Sequence, residues 1–117
     1  MAVTPQQARD VLHDADLLHD AGAINTALDK LAQDISAAVA DDIFREQPVI
    51  VVSIMNGGMI LAGHLLPRFS FPLHVDFIHA TRYRNQTSGG ELEWKVAPHQ
   101  DIKGRTLILI DDILDEG

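Results

Sequence analysis

The sequence predicts an α/β fold, a parallel sheet flanked by helices. Three observations lead there. Leu107–Ile110 is an apolar run with no polar alternation, the pattern of a strand buried on both faces of a parallel sheet. Val49–Ile54 is rich in β-branched residues and reads as a second buried strand. That strand passes through Met55-Asn56-Gly57-Gly58 into an apolar helical segment ending near Pro67, the first half of a βαβ unit.

Taken in order, Thr4-Pro5-Gln6-Gln7 opens a short helix to about Leu12. Thr4 serves as cap, Pro5 sits at the first helical position and Gln7 reaches back. His13–Asp20 is polar and ends at Gly22. Its two His-Asp pairs suggest a metal, but a solvated turn between helices explains them more simply. A second helix is expected from Asn25, with Thr26 and Asp29 as a capping box. Leu28, Leu31, Ile35, Val39 and Ile43 recur at the helical period, and Pro48 marks the stop.

Pro72–His79 alternates apolar and polar residues, as a strand with one solvated face would. His74, Asp76 and His79 could make a site, but a solvated face explains them more simply. Arg82–Gly90 is polar and ends in Gly-Gly, the composition of a long loop. Loops of that length are commonly lids or binding loops. Glu91–Val96 alternates again, so the loop reads as the tip of a β-hairpin arm. Lys103-Gly104-Arg105 then turns into the last strand. The expected order is α-α-β-α-β-arm-β, with helices in residues 1–46 and core strands in 47–117.

The chain has 117 residues, enough for one domain, with 46% apolar and 22% charged residues. There is no cysteine, so disulfides and thiolate metal sites are excluded. The N-terminus shows no basic-then-apolar signal pattern, and no apolar run approaches the roughly 20 residues of a membrane span. The expectation is a soluble cytoplasmic protein that binds no membrane. A net charge of −8 argues against nucleic acid, which needs clustered Lys and Arg. It does not exclude a small phosphorylated ligand held by backbone N–H groups and Mg²⁺.

Asp111, Asp112 and Asp115 come directly after the last strand. Open α/β sheets bind ligands beyond the carboxyl ends of their strands, and packing does not explain three acids there. Adjacent acids at such a turn can accept hydrogen bonds from a vicinal diol or hold water on Mg²⁺. A third acid over the same crevice can take a proton from a ring nitrogen. Asp-Asp-x-x-Asp also binds Mg²⁺-diphosphate in helical prenyl-transferring enzymes, but this chain lacks their all-helical pattern. Gly57 and Gly58 suit either a tight turn needing positive φ or an anion-binding turn at a helix start.

Leu107–Gly117 resembles the phosphoribosyl pyrophosphate (PRPP) signature of type I phosphoribosyltransferases, and most resembles the hypoxanthine-guanine branch. The likeness runs from about Pro48 to Gly117. It implies the family's parallel sheet with a flexible β-arm lid. It further implies that Asp111, Asp112, Ile113, Leu114, Glu116 and Gly117 bind PRPP, with Asp111 and Asp112 on the ribose hydroxyls and on water around Mg²⁺. Met55, Asn56, Gly57 and Gly58 correspond to the pyrophosphate loop, whose Met55-Asn56 bond can be cis. Arg82 and Tyr83 correspond to the lid. Asp115, an acid in 6-oxopurine enzymes, corresponds to the catalytic base at purine N7.

The implied activity is transfer of the 5-phosphoribosyl group to N9 of hypoxanthine or guanine, in a homo-oligomer. A non-catalytic PRPP-binding regulator is the alternative. Two departures stand out. Glu116 replaces the usual Thr or Ser, and Arg82 replaces the Ser of the Ser-Tyr lid pair. The resemblance also implies a longer protein. The family continues with the rest of the phosphate loop, further strands, a lysine over purine O6 and an aromatic stack on the base.

Overall fold

The computed structural model describes residues 2–82 and 92–114. Helix α1 (Pro5–Asp14) starts with the expected capping box. The Gln7 N–H donates to Thr4 Oγ1 at 3.1 Å, and the Thr4 N–H donates to Gln7 Oε1 at 2.9 Å. None of its residues is buried.

Helix α2 spans Ala21–Ala38, four residues earlier at its start than expected. Asp20 is the cap, its Oδ1 accepting from the Ala23 N–H at 2.8 Å. Thr26 does not cap. Already inside the helix, it donates its hydroxyl to the Gly22 carbonyl at 3.1 Å. The helix also ends ten residues before Pro48, in turns that carry Ile43. Its buried stripe is Leu28 and Ala32, with Ile35 packed beside them, while Leu31 faces solvent. Leu28 and Ala32 join the core that also holds Ala62 and Leu65 of the following helix.

Strand β1 (Val49–Ile54) is the centre of the sheet. It pairs in parallel with β2 (Leu73–Arg82) on one side and β4 (Leu107–Ile110) on the other. Strand β3 (Leu92–Val96) pairs antiparallel with the end of β2, giving the order β3-β2-β1-β4. Helix α3 (Gly58–Leu65), continued by a 3₁₀ turn over Leu66–Arg68, connects β1 to β2. Val49, Ile50, Val51 and Val52 are all buried, so β1 fits the doubly buried strand pattern. Val51, Ala62, Leu65 and Ile110 join Leu28 and Ala32 in one apolar core.

Two strand expectations are corrected. β4 is not buried on both faces: Ile110 is buried, but Leu109 is 59% exposed, since among the described residues β4 has one strand neighbour. On β2 the alternation is inverted. Asp76 is 4% exposed, whereas Val75 and Phe77 are 56% and 41% exposed. The cause is a cluster of hydrogen bonds. Asp76 accepts from the N–H groups of Phe77 (2.7 Å), His99 (2.8 Å) and Gln100 (3.1 Å), and its Oδ1 lies 3.0 Å from His99 Nδ1. Gln100 Nε2 donates to the Val75 carbonyl at 3.3 Å. Asp76 therefore ties the β3–β4 connection to β2.

That connection turns at Gly104, whose φ of 70° favours glycine. Arg105 then donates to the Pro48 carbonyl and approaches His74 Nδ1 at 3.2 Å. The β-hairpin arm is present, but β2 extends to Arg82, where Leu92 pairs with it. Arg82 is therefore strand and not loop at its backbone, and Tyr83 lies outside the described residues.

Burial tends to raise the Asp76 carboxyl, but the Phe77, His99 and Gln100 hydrogen bonds outweigh it and hold it below its ordinary value. A depressed carboxyl stabilises the fold above its unfolded pKa, and that contribution disappears as pH falls through the folded value. Asp76→Asn should therefore flatten the loss of stability below about pH 4, measured by urea melts across the acid range. In the core, Ile50→Ala should cost about 2–5 kcal/mol, against about 0.5 kcal/mol for exposed Leu109→Ala, both from urea midpoints.

Candidate functional site

Parallel pairing brings the carboxyl ends of β1 and β4 to the same edge of the sheet, with Ser53 opposite Ile110. The residues after each strand therefore meet: Met55–Gly58 from β1 and Asp111–Leu114 from β4. Met55-Asn56 is a cis peptide. Gly57 caps α3 without any side-chain hydrogen bond, and the Met59 N–H donates to the Asn56 carbonyl at 3.2 Å. The first turn of α3 thus carries the partial positive charge of a helix N-terminus with no side-chain hydrogen bond from its cap residue.

The two glycines are explained by crowding and not by torsion. Gly57 has φ −62° and ψ −34°, right-handed helical values open to any residue, so positive φ is not what it supplies. A Cβ there would overlap Oδ1, Cγ and Oδ2 of the Asp112 carboxylate. A Cβ on Gly58 would collide with the Ile110 carbonyl and lie 3.3 Å from Asp111 Cα. Gly58 is buried beneath the start of the acidic segment, while Asn56 and Gly57 are less enclosed.

Asp111 and Asp112 are exposed, and the Asp112 N–H donates to Asp111 Oδ1 at 2.8 Å. Ile113 and Leu114 are also exposed. Asp115, Glu116 and Gly117 lie outside the described residues. Two adjacent carboxylates form an all-oxygen donor pair, and among the described residues no group of three or more His, Asp or Glu converges. That donor set fits a hydrated Mg²⁺ shared with a ligand better than a cage built wholly from protein.

Of the residues singled out from sequence, the structure brings Met55–Gly58 together with Asp111 and Asp112. It separates His74 and Asp76 from them, opposite Ile50 and Val52 on β1. His74 lies against Arg105, and Asp76 is structural. Sequence reasoning passes over Ser53, which is buried with a hydroxyl that has no hydrogen-bond partner among the described residues. Its signal is a lone polar residue in an apolar run, two residues before the loop. A polar cleft of about 470 Å³, lined by Asp29, Ala32, Gln33, Ser36, Arg68 and Ser70, shares no residue with the site. Its Arg68 is already engaged by Asp29 at 2.8 Å and by the His64 carbonyl at 2.6 Å. Among the described residues, no helix is long and apolar enough to cross a membrane.

The family model described as phosphoribosyl transferase domain matches residues 14–117. Among curated relatives, the hypoxanthine-guanine phosphoribosyltransferase of Aquifex aeolicus is 32% identical over 73 residues, 62% of this chain and 41% of that protein. The enzyme of the same name from Mycoplasma pneumoniae is 33% identical over 75 residues, 63% of this chain and 43% of that protein. The chain thus aligns with less than half the length of these two relatives. Among solved structures, a Bacillus anthracis hypoxanthine-guanine phosphoribosyltransferase superposes with a TM-score of 0.67. It covers 81% of this chain and 54% of its own, at 23% identity, a likeness of fold.

Gly58→Ala should destabilise the protein by about 1–3 kcal/mol, because the new methyl meets backbone that cannot rotate away. Thermal or urea unfolding reads this directly. A neutral result would mean that Gly58 does not pack on Ile110.

Proposed function

The chain belongs to the phosphoribosyl transferase domain family, on its hypoxanthine-guanine branch, and from that premise we propose that the whole protein salvages purines. It transfers the 5-phosphoribosyl group from PRPP to N9 of hypoxanthine or guanine, giving IMP or GMP and pyrophosphate. The observation that carries this reading is the contact of the Asn56-Gly57-Gly58 loop with Asp111 and Asp112. One side offers backbone N–H groups at a helix start, suited to pyrophosphate. The other offers two exposed carboxylates, suited to a vicinal diol.

The chemistry is governed by charge. As pyrophosphate leaves, the ribose gains oxocarbenium character and the leaving group gains negative charge. N–H donors fixed at the start of α3 stabilise that negative charge without reorganising. Asp111 and Asp112 accept hydrogen bonds from the ribose hydroxyls and hold the sugar in place while the bond breaks. Asp115 takes the proton from purine N7 as N9 bonds to the sugar carbon. Asp111 and Asp112 would hold Mg²⁺, mostly through water, and the ion would supply charge neutralisation on the pyrophosphate. The β2–β3 arm carrying Arg82 and Tyr83 is assigned as the lid that keeps water from the sugar. We assign residues 1–117 to a single domain of a cytoplasmic homo-oligomer.

The test is IMP formation by the full-length protein with hypoxanthine, PRPP and Mg²⁺. Product that disappears on EDTA treatment supports the reading. PRPP binding without turnover, for hypoxanthine, guanine or adenine, would replace it with a regulatory role. Asp115→Asn should lower kcat by about 10²–10⁴-fold while changing the KM for PRPP much less. Equal losses in both would remove the general-base assignment.

A further inference from the structure

We propose that Gly57 is a positioning residue whose missing side chain forms the seat for the Asp112 carboxylate, beyond any part its N–H plays toward an anion. The functional half of this proposal rests on the PRPP reading. The structural half stands without it.

At φ −62° and ψ −34°, alanine would fit position 57 without torsional strain. Glycine outranks alanine at a helix cap, but torsion gives no reason for glycine here. The nearest neighbours of a Cβ there are three atoms, all from one side chain: Oδ1, Cγ and Oδ2 of Asp112. At Gly58, by contrast, the crowding comes from the backbone of β4 and the residue after it. Neighbouring glycines thus serve different ends. Gly58 lets the two chain segments approach, and Gly57 leaves room for one carboxylate to lie over the start of α3.

The arrangement also separates the two acids. Asp111 Oδ1 accepts from the Asp112 N–H, so Asp111 is oriented by its own turn. Asp112 is oriented from the neighbouring strand, by the loop after β1. A methyl at 57 would turn the Asp112 carboxylate away while leaving Asp111 in place. Geometry at the anion loop and geometry at the diol-binding acid are then mechanically coupled through one contact.

The experiment is a double-mutant cycle in the full-length protein with Gly57→Ala, Asp112→Ala and both together. Asp112→Ala removes the three atoms nearest to the new methyl, so the second substitution should have far less to disturb. Gly63→Ala is the control, because no atom lies within 4 Å of its added Cβ. Gly57→Ala alone should weaken PRPP binding in Mg²⁺ by roughly tenfold to a hundredfold, the range for losing a hydrogen bond to a charged group. The KM for hypoxanthine should stay near that of the parent. In the Asp112→Ala background, Gly57→Ala should add little further loss. An equal further loss there, or no effect of Gly57→Ala on PRPP binding, overturns the proposal.

Melting temperatures of the ligand-free proteins decide the structural half alone. Gly57→Ala should lower Tm in the parent and lower it clearly less in the Asp112→Ala background; an equal drop in both overturns the seat. If the parent binds no PRPP, the purine-salvage reading fails, and this second cycle still tests the seat. If Gly57→Ala does not fold, the double variant should, since its crowding is relieved. Failure of both would show that the clash lies elsewhere and would end the proposal.

Discussion

β1 and β4 lie side by side in parallel, with Val51 opposite Ile108 and Ser53 opposite Ile110. The candidate site depends on that register. A strand advances about 3.3 Å per residue and turns its side chains over with each step. A slip of one residue would expose Ile110 and move the acidic segment off the glycines. The register is secured at the far end of the strands, where the Ile50 N–H donates to the Thr106 carbonyl at 3.0 Å and Arg105 donates to the Pro48 carbonyl. Burial of β1 on both faces makes the pair a rigid base. The loop after β1 and the acidic segment after β4 are then set on that base and meet at the candidate site.

Three aspartates in this chain show how one residue type takes different roles according to hydrogen bonding. Asp76 is buried, and backbone N–H groups and His99 satisfy its oxygens. It is a tie between strands, and its charge is used up inside the protein. Asp111 and Asp112 are exposed at the end of an apolar strand, and the only hydrogen bond described for either carboxylate comes from the Asp112 N–H. Their remaining acceptor capacity faces outward. Packing explains the first aspartate fully and the other two not at all.

The parts of this arrangement that can be read from sequence are those with dense local signals. β1, the turn after it and β4 carry apolar runs broken by Asn-Gly-Gly and Asp-Asp, and each lies where the sequence places it. The capping box of α1 is equally legible, since all its partners lie within four residues. Sequence alone misplaces the start of α2 because Thr26 and Asp29 mimic a capping box, whereas in the folded chain Asp20 is the cap. The exposure of Leu31 has a related cause. Period alone cannot choose between Leu31 and Ala32, since both lie within helical spacing of Leu28 and Ile35. Asp76 reads as part of a solvated face because its partners, His99 and Gln100, are more than twenty residues away in sequence. The glycines of the turn suggest torsion or anion binding, whereas their surroundings reveal crowding. Roles for Tyr83, Asp115, Glu116 and Gly117 come from the family resemblance, as those residues lie outside the described structure.

The polarity of the two halves of the site constrains what can bind there. The start of α3 is an uncapped helix N-terminus and favours anions. The acids beside it repel anions and favour hydroxyl groups or a cation. A simple phosphate would meet both attraction and repulsion, and so would a bare metal ion. A ligand satisfies both halves only if it carries anionic and hydroxyl groups on one frame, with a cation offsetting the charge between them. A phosphorylated sugar with a vicinal diol and Mg²⁺ has that character, which supports the PRPP reading on grounds independent of resemblance. The close contact between Gly57 and Asp112 sets the spacing of the two halves, so the demand falls on the shape of the ligand as well as on its charge.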